Sequence, residues 1–358
     1  MSEKRAGKAQ SRGRRPMMLR EIYEEPERVA TLIAREMAPL EKALAPFRES
    51  RPSLIFAAGR GTSDNAATFG RYLFEHFLGI PVSGAALSLF TLYPAPLHLR
   101  GALAIGISQS GETPDVVKTL RTARRMGAYT IAVTNAGKSS LTEVADHTIR
   151  LHARKERAVA ATKTYTATLV AMAMICRALG SELTEQEIEA LPEAIQAAIA
   201  CEPTIAEIAP YYRYAARFLC LARGFNYATV REVALKLMET CYVGSSGMSA
   251  ADFLHGPIAF IEEDTPTMAF VPRGPTYDFM LALTKTLNAH DVDVLVFTNA
   301  EQMVRHATLS VYCPLDIREG LTPIPFATLG QLFACHLAMI KGLNPDAPRR
   351  LTKVTRTL

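Results

Sequence analysis

The chain has 358 residues, of which 49% are apolar and 21% are charged, a composition typical of globular proteins. It excludes a disordered chain, a collagen-like repeat and a small disulfide-rich module, and the length predicts two domains. The net charge of +5 is confined to the ends, because residues 1–20 carry +6 and residues 349–358 carry +4, so the 328 residues between them sum to −5. We therefore expect no nucleic-acid partner.

Cysteine and histidine patterns indicate neither a disulfide framework nor a metal site. The six cysteines stand singly without a C-x-x-C pair, and the eight histidines include no H-E-x-x-H pattern. We expect buried, reduced thiols, no metal and a cytoplasmic protein. The longest apolar run, residues 167–176 with one threonine, is shorter than the about 20 residues of a membrane span, and no apolar stretch marks a secretory signal. We expect no membrane partner.

Along the chain, a basic flexible tail is predicted over residues 1–25, followed by an amphipathic helix over residues 26–47 whose apolar side chains recur every three or four positions. Short apolar runs then alternate with helical patterns. The predicted strands are residues 54–58, 102–107, 130–133 and 148–151, and later 218–222, 267–271, 292–297 and 309–312. Further helices are predicted over residues 160–179, 184–200, 229–241 and 325–341.

Strands this apolar, alternating with helices, indicate parallel sheets covered on both faces. The predicted fold class is α/β, with two doubly wound, flavodoxin-like domains. The two halves echo each other, since an arginine–glycine turn follows a strand in both, and Thr-Asn-Ala follows a strand in both. We interpret this as an internal duplication. The expected first domain, with its N-terminal helix, covers residues 26–195, and the second covers residues 205–345.

Two loops that follow predicted strands are candidates for anion binding. Gly61, Thr62 and Ser63 open a helix, where backbone N–H groups face an anion, and a plain tight turn is the alternative. The dinucleotide fingerprint needs a third glycine, so we expect no such cofactor, and no other cofactor is expected. Residues 108–113, Ser-Gln-Ser-Gly-Glu-Thr, form a hydroxyl-rich cradle that suits a phosphate monoester. A capping box in an ordinary turn is the alternative.

Charged candidates lie in the second half. The spacing of Glu232, Lys236 and Glu239 places them on one helix face, where a solvated salt-bridged stripe is the alternative. His255 lies in a loop before a glycine and a proline, and a purely structural histidine is the alternative. Lys353 belongs to the basic C-terminal segment, where an ordinary solvated charge is the alternative.

Six short segments, in order, resemble the isomerase half of glutamine–fructose-6-phosphate aminotransferase, a tandem pair of sugar-isomerase (SIS) domains. They are residues 61–63, 108–113, 160–163, 234–239, 255–257 and 348–353. The resemblance implies a sugar-phosphate substrate, a homodimer whose active site is shared between subunits, and a C-terminal tail over residues 346–358 that closes over the site.

The resemblance also implies roles for single positions. Glu239 matches the carboxylate that moves a proton between C1 and C2, and such a step suits one base beside two adjacent carbons. His255 matches the residue that assists ring opening from the partner subunit, and Lys353 matches the tail lysine that contacts the open-chain sugar and can form a Schiff base. The positions implied to bind the substrate and its 6-phosphate are Gly61, Thr62, Ser63, Ser108, Gln109, Ser110, Thr113, Val159 and Ala161.

Three departures from the aminotransferases bear on function. Arg60 stands where they have a cysteine, and Ala161 stands where they have a serine. The first predicted strand begins at residue 54 and the first cysteine is Cys176, so we expect no glutaminase domain with a cysteine nucleophile. Residues 60–65, Arg-Gly-Thr-Ser-Asp-Asn, resemble the deaminase branch. We therefore expect a deaminase that converts glucosamine 6-phosphate to fructose 6-phosphate and releases ammonia.

Other functions stay open at this point. Ammonia-dependent synthesis, a fructosamine-6-phosphate deglycase and a galactosamine-6-phosphate deaminase would all use the same three groups. A sugar-phosphate sensor is the alternative from a different class. A sensor needs only the phosphate cradle, whereas this chain keeps Glu239, His255 and Lys353 together, so we favour an enzyme.

Overall fold

The structure, a computed structural model, describes residues 15–93, 97–263 and 265–353, and its strands form two five-stranded sheets. The strands of the first sheet are β1 Ile55–Ala58, β2 Val82–Gly84, β3 Leu103–Ile107, β4 Tyr129–Thr134 and β5 His147–Arg150. Those of the second sheet are β6 Arg217–Ala222, β7 Gly244–Ser249, β8 Thr267–Val271, β9 Val294–Thr298 and β10 Leu309–Tyr312.

The two sheets have the same strand order. Neighbours follow the order β2-β1-β3-β4-β5 in the first sheet and β7-β6-β8-β9-β10 in the second, and every neighbouring pair is parallel. This is the flavodoxin-like order, in which ligands bind beyond the carboxyl ends of the strands. The predicted α/β class and the internal duplication are confirmed.

Two strands, β2 and β7, were not predicted from the sequence. Each lies at an edge of its sheet and pairs on one side only, β2 with β1 and β7 with β6. Their sequences, Val-Ser-Gly and Gly-Ser-Ser-Gly-Met-Ser, are polar and partly exposed. An edge strand needs no continuous apolar run, so the pattern that predicts the central strands is missing here.

Helices cover the faces of both sheets. They are α1 Met17–Tyr23, α2 Glu25–Leu44, α3 Pro46–Glu49, α4 Thr62–Leu78, α5 Ser88–Thr91, α6 Pro114–Arg125, α7 Lys163–Ala178, α8 Glu185–Glu189, α9 Leu191–Ala200, α10 Glu202–Ile208, α11 Tyr227–Lys236, α12 Ala250–Leu254, α13 Tyr277–Asn288 and α14 Pro323–Ile340. The predicted strand–helix alternation is thus present in both halves.

One apolar core joins the two sheets through α7 and α14. Helix α7 packs against α2 and α4, and α14 packs against α9 and α11. Among the described residues, α14 is the one helix long and apolar enough to cross a membrane, and 83% of it is buried inside the protein, as in a core helix. All six cysteines are buried and unpaired.

The N-terminal helical region begins earlier than the expected boundary at residue 26. Residues Met17–Tyr23 form α1, and its Met18 and Ile22 side chains are fully buried. The backbone N–H groups of Met17 and Met18 donate to the two carboxylate oxygens of Asp346, each at 2.8 Å. Because the carboxylate satisfies amides that a helix start leaves free, it stabilises this end. The expected tail is corrected from Met17 onward, and residues 1–14 lie outside the described residues.

Candidate active site

A cavity of about 340 Å³ opens beyond the carboxyl ends of β1 and β3, where two loops lead into α4 and α6. It borders eleven of the twelve residues to which the resemblance gives a catalytic or substrate-binding role: Gly61, Thr62, Ser63, Ser108, Gln109, Ser110, Thr113, Val159, Ala161, Glu239 and Lys353. The strand-end position is the one in which open α/β sheets bind ligands. A single chain therefore assembles these segments, which are separated by almost 300 residues of sequence, around one space.

The loop after β3 is organised by its own hydroxyl groups. The Oγ atom of Ser108 lies 2.8 Å from Oγ1 of Thr113, and the backbone N–H of Gly111 donates to Ser108 Oγ at 3.1 Å. Thr113 makes no side-chain cap to α6, so the alternative of an ordinary capping box does not hold. Gly111 has φ +69°, and a Cβ there would lie 2.1 Å from Oγ of Ser139. Only glycine fits this turn.

The loop after β1 brings the chain close to the helix that follows it. A Cβ on Gly59 would lie 2.7 Å from the backbone carbon of Ser63, so glycine permits the close approach. Gly61 precedes α4 with φ +53°. The hydroxyl of Thr62 donates to Oε1 of Glu232 at 3.0 Å, which ties this loop to the second half of the chain.

The charged face of α11 is a buried network and not a solvated stripe. Glu232 and Lys236 are each 1% exposed, and Lys236 Nζ lies 3.3 Å from Glu232 Oε1 and 2.5 Å from Glu239 Oε2. The helix widens into a π-helical turn over Leu237–Cys241, which carries Glu239. The alternative of a salt-bridged surface stripe is therefore wrong.

Burial and ion pairing oppose each other in this network. Burial lowers the pKa of Lys236, but the carboxylates of Glu232 and Glu239 outweigh it and raise the pKa overall. Burial raises the pKa of Glu232, and Lys236 and a hydrogen bond from Asn65 only partly offset that rise. Lys236 is thus held as an ammonium beside Glu239, whose carboxylate faces the cavity.

Lys353 reaches the cavity from the C-terminal segment. Its Nζ donates to Oε2 of Glu156 at 2.6 Å and to the carbonyl of Ala158 at 2.7 Å. Glu156 is fully buried and also accepts hydrogen bonds from the backbone N–H groups of Thr162 and Thr164, at 3.0 and 3.1 Å. Leu351 and Thr352, in the same predicted tail over residues 346–358, also border the cavity. Closure of that tail over the site stays a prediction, and residues 354–358 lie outside the described part of the chain.

His255 is the predicted catalytic residue that the single chain does not bring to the cavity. It follows α12 on an exposed loop, and it is absent from the cavity wall. The resemblance places this position in the partner subunit's site, so its role stays a prediction.

The structure adds cavity residues that the sequence did not select. They are Ile107, Leu235, Leu351 and Thr352, and the cavity also borders Arg60 and Lys236, which the sequence singled out without giving them a substrate-binding role. The spacing already places Lys236 on one helix face with Glu239. Glu156, which holds Lys353, carries no such signal, because an isolated glutamate in a loop is ordinarily solvated.

A larger cavity, of about 850 Å³, lies beside α13 but does not share the chemistry of this site. Its lining is mainly apolar, with side chains such as Ile258, Ile261 and Leu287, and it also includes Glu262, Glu263 and His290. It has no hydroxyl-rich loop and no strand end. Within the described ranges, no group of three or more His, Cys, Asp or Glu side chains is arranged to hold a metal ion.

A family model described as SIS domain matches residues 50–178 and 211–341, which is most of the chain. The chain belongs to the SIS domain family. The two matched segments contain the two sheets, so the resemblance found in the short motifs is confirmed.

Relatives of this SIS chain include a glutamine–fructose-6-phosphate aminotransferase [isomerizing] from Pyrococcus horikoshii, 33% identical over 354 residues. The match covers 96% of this chain but 58% of that relative, so the chain spans little more than half the length of the curated protein. The solved C-terminal domain of glucosamine-fructose-6-phosphate aminotransferase from Francisella tularensis matches with a TM-score of 0.83 and 28% identity, over 95% of this chain and all of that one.

A glucosamine-6-phosphate deaminase from Thermotoga maritima is also structurally similar to this SIS chain. The TM-score is 0.77 with 20% identity, and the match covers 95% of this chain and all of that one. At this identity the likeness shows a shared fold.

Proposed function

We propose that this protein is an amino-sugar-phosphate deaminase and isomerase that converts glucosamine 6-phosphate to fructose 6-phosphate and ammonia. The observation that carries the proposal is the meeting of Glu239, Lys353 and the hydroxyl-rich loop at residues 108–113 around one cavity. Membership of the SIS family and the names of its relatives support a sugar-phosphate substrate. The ammonia-releasing direction rests on residues 60–65, which resemble the deaminase branch.

The phosphate of the substrate is held at the strand ends. Ser63, Ser108, Ser110 and Thr113 offer hydroxyl donors there, and α4 and α6 direct their N-termini to the same place. The contact between Ser108 and Thr113 and the turn at Gly111 set these hydroxyls before the ligand arrives. A preformed cradle loses less conformational entropy on binding than a mobile one.

Glu239 moves the proton between C2 and C1. In the open-chain sugar it takes the proton from C2, which carries the amino group, and returns it to C1, while the aldehyde oxygen becomes a hydroxyl and the amine becomes a C2 imine. One carboxylate serves both carbons because they are adjacent. Lys236, 2.5 Å from Oε2, fixes the orientation of the Glu239 carboxylate.

Ring opening and the departure of ammonia need two further groups. His255, brought by a partner subunit, assists proton transfer as the ring opens. Lys353 contacts the open chain, and its amine can add to the C2 imine and expel ammonia, giving a Schiff base. Water then releases fructose 6-phosphate and restores the lysine. For this step the Lys353 ammonium, which donates a hydrogen bond to Glu156, must first lose a proton.

The test is an ammonia-release assay over a panel of hexosamine 6-phosphates, with fructose 6-phosphate measured in parallel. The wild-type protein is expected to release ammonia from glucosamine 6-phosphate, and Glu239→Gln is expected to lose at least about 100-fold in kcat. Glu189→Gln, at an exposed position of α8, is the matched control and should keep full activity. Absence of ammonia from every hexosamine 6-phosphate would contradict the proposal, and preference for galactosamine 6-phosphate would redirect it to that substrate.

A further inference from the structure

Arg60 bridges the two loops at the strand ends. It lies in the loop after β1, and its Nε and Nη2 atoms are both 2.7 Å from Oδ2 of Asp115. Asp115 belongs to the first turn of α6 and is 1% exposed. Its carboxylate therefore holds the guanidinium from a rigid position beside the 108–113 loop, two residues beyond Thr113.

Arg60 is more exposed to solvent, and so more accessible to a ligand, than the other two cationic side chains of the cavity. Lys236 is 1% exposed and is enclosed by two carboxylates, and the side chain of Lys353 is 27% exposed with its ammonium turned to Glu156. The side chain of Arg60 is 54% exposed although it is anchored. A guanidinium has five N–H donors in one plane, and Asp115 binds the edge formed by Nε and Nη2. The remaining donors belong to a side chain that borders the cavity.

We infer that Arg60, positioned by Asp115, is the charged group that recognises the phosphate end of the ligand, and that it selects phosphorylated over unphosphorylated sugars. The inference rests on the proposed function in one respect, namely that the cradle at the strand ends receives the phosphate. The serine and threonine hydroxyls and the helix N-termini supply dipoles but no full charge. A guanidinium forms stronger, charge-assisted hydrogen bonds to a phosphate dianion.

The ion pair with Asp115 orients Arg60 without cancelling this role. The Asp115 carboxylate is buried in the protein, whereas the Arg60 side chain is half exposed and borders the cavity. Holding the fork in place reduces the side-chain entropy that a free arginine would lose on binding. Lysine at this position would keep the charge but lose the fork, so Arg60→Lys is expected to bind phosphate more weakly than the wild type and more tightly than a neutral variant.

The test is calorimetric titration with three ligands, fructose 6-phosphate, inorganic phosphate and fructose, so that it does not depend on turnover. The double variant Arg60→Met/Asp115→Asn removes the cation together with the charge of its buried carboxylate partner. We expect its Kd for fructose 6-phosphate and for phosphate to rise about 10- to 100-fold, the loss of a hydrogen bond to a charged group. Binding of fructose should not change. Arg125→Met, on the exposed side of the same helix, is the control and should bind like the wild type.

A role in recognition has a signature that a merely structural role would not have. A phosphate monoester changes from dianion to monoanion near pH 6, so the wild type should lose affinity for fructose 6-phosphate below that pH, and the double variant should show a shallower dependence. An unchanged Kd for fructose 6-phosphate in the double variant would overturn the inference, as would a wild type that binds neither phosphate ligand. If the wild type binds fructose 6-phosphate through Arg60 but releases no ammonia, the inference stands and the proposed function fails.

Discussion

The ammonium of Lys353 lies 2.6 Å from Oε2 of Glu156, a carboxylate with no exposure to solvent. The two residues are 197 positions apart, and their contact holds the C-terminal segment against the loop that precedes α7. Leu351 and Thr352, which lead up to Lys353, border the cavity as a result. A pair of charges thus determines where the last described part of the chain lies.

Replacing Lys353 with methionine should destabilise the protein by about 2–4 kcal/mol at neutral pH, because Glu156 would keep a buried charge without its cation. Burial works against the charged form of Glu156, yet Lys353 and the hydrogen bonds from Thr162 and Thr164 lower its pKa overall. The stability from this pair is therefore present above the ordinary carboxyl pKa of 4.5 and is lost as the pH falls through the lower folded value. Urea unfolding at neutral and acidic pH measures the difference.

The double variant Glu156→Gln/Lys353→Met is the control for that experiment. Because it removes both charges together, it should recover most of the stability that Lys353→Met loses. An equal loss in the single and double variants would show that the ion pair is not the cause.

Gly111→Ala should reduce the stability of the protein far more than Gly79→Ala. Both glycines have positive φ, +69° and +66°, so alanine strains the backbone at either place by about 1–3 kcal/mol. At Gly79 nothing lies within 4 Å of the added Cβ, whereas at Gly111 it would collide with Oγ of Ser139. We expect Gly111→Ala to lower the free energy of unfolding by about 1–3 kcal/mol more than Gly79→Ala does, and to weaken phosphate binding. Unfolding curves and phosphate titrations check this, and equal losses at the two positions would contradict it.

Glu25→Gln should stabilise the protein in mildly alkaline solution. Burial raises the pKa of Glu25 to about 8, against smaller opposing effects of hydrogen bonds from Thr328 and Thr166. Between the ordinary pKa of 4.5 and about 8 the folded chain binds the proton and the unfolded chain does not, so wild-type stability falls as pH rises through that window. We expect the glutamine variant to be more stable above pH 8 by on the order of 2–4 kcal/mol.

The measurement for Glu25 is urea unfolding across the same pH window. Glu189→Gln, which removes an exposed carboxylate, should keep the wild-type pH dependence. If Glu25→Gln also kept it, the buried carboxyl would not be the group that titrates.

Mixing two inactive variants tests whether one site draws on two subunits. Glu239→Ala removes the proposed base from the cavity of its own chain, and His255→Ala alters a residue that lies outside that cavity. If His255 serves the partner, co-refolded mixtures should regain activity. In an equal mixture about half of the dimers contain one copy of each variant, and one of their two sites has both groups, so activity should reach up to about a quarter of the wild-type value. The ammonia-release assay measures the recovery, and activity no higher than that of either variant alone would contradict a shared site.

The fold was predictable where burial leaves a pattern in the sequence. The strands β3 and β8 lie wholly in the interior, so each is a mostly apolar run, and both were predicted within one residue of their bounds. The edge strands β2 and β7 face solvent on part of their surface, so neither carries such a run. The start of α1 was missed because its N-terminal amides are satisfied by Asp346, 329 residues away.

The candidate site also has features that the sequence predicts and features that only the tertiary structure shows. By itself, the sequence determined the α/β class, the duplication and the residue types of the cavity, because helix periods, apolar strands and hydroxyl-rich turns are local patterns. The tertiary structure alone decided the distant pairs, Arg60 with Asp115 and Lys353 with Glu156, and that the local pair of Lys236 and Glu239 is buried at the cavity. The physical reason is that the state of a charge depends on burial and on its neighbours in space, and most of those neighbours are distant in sequence.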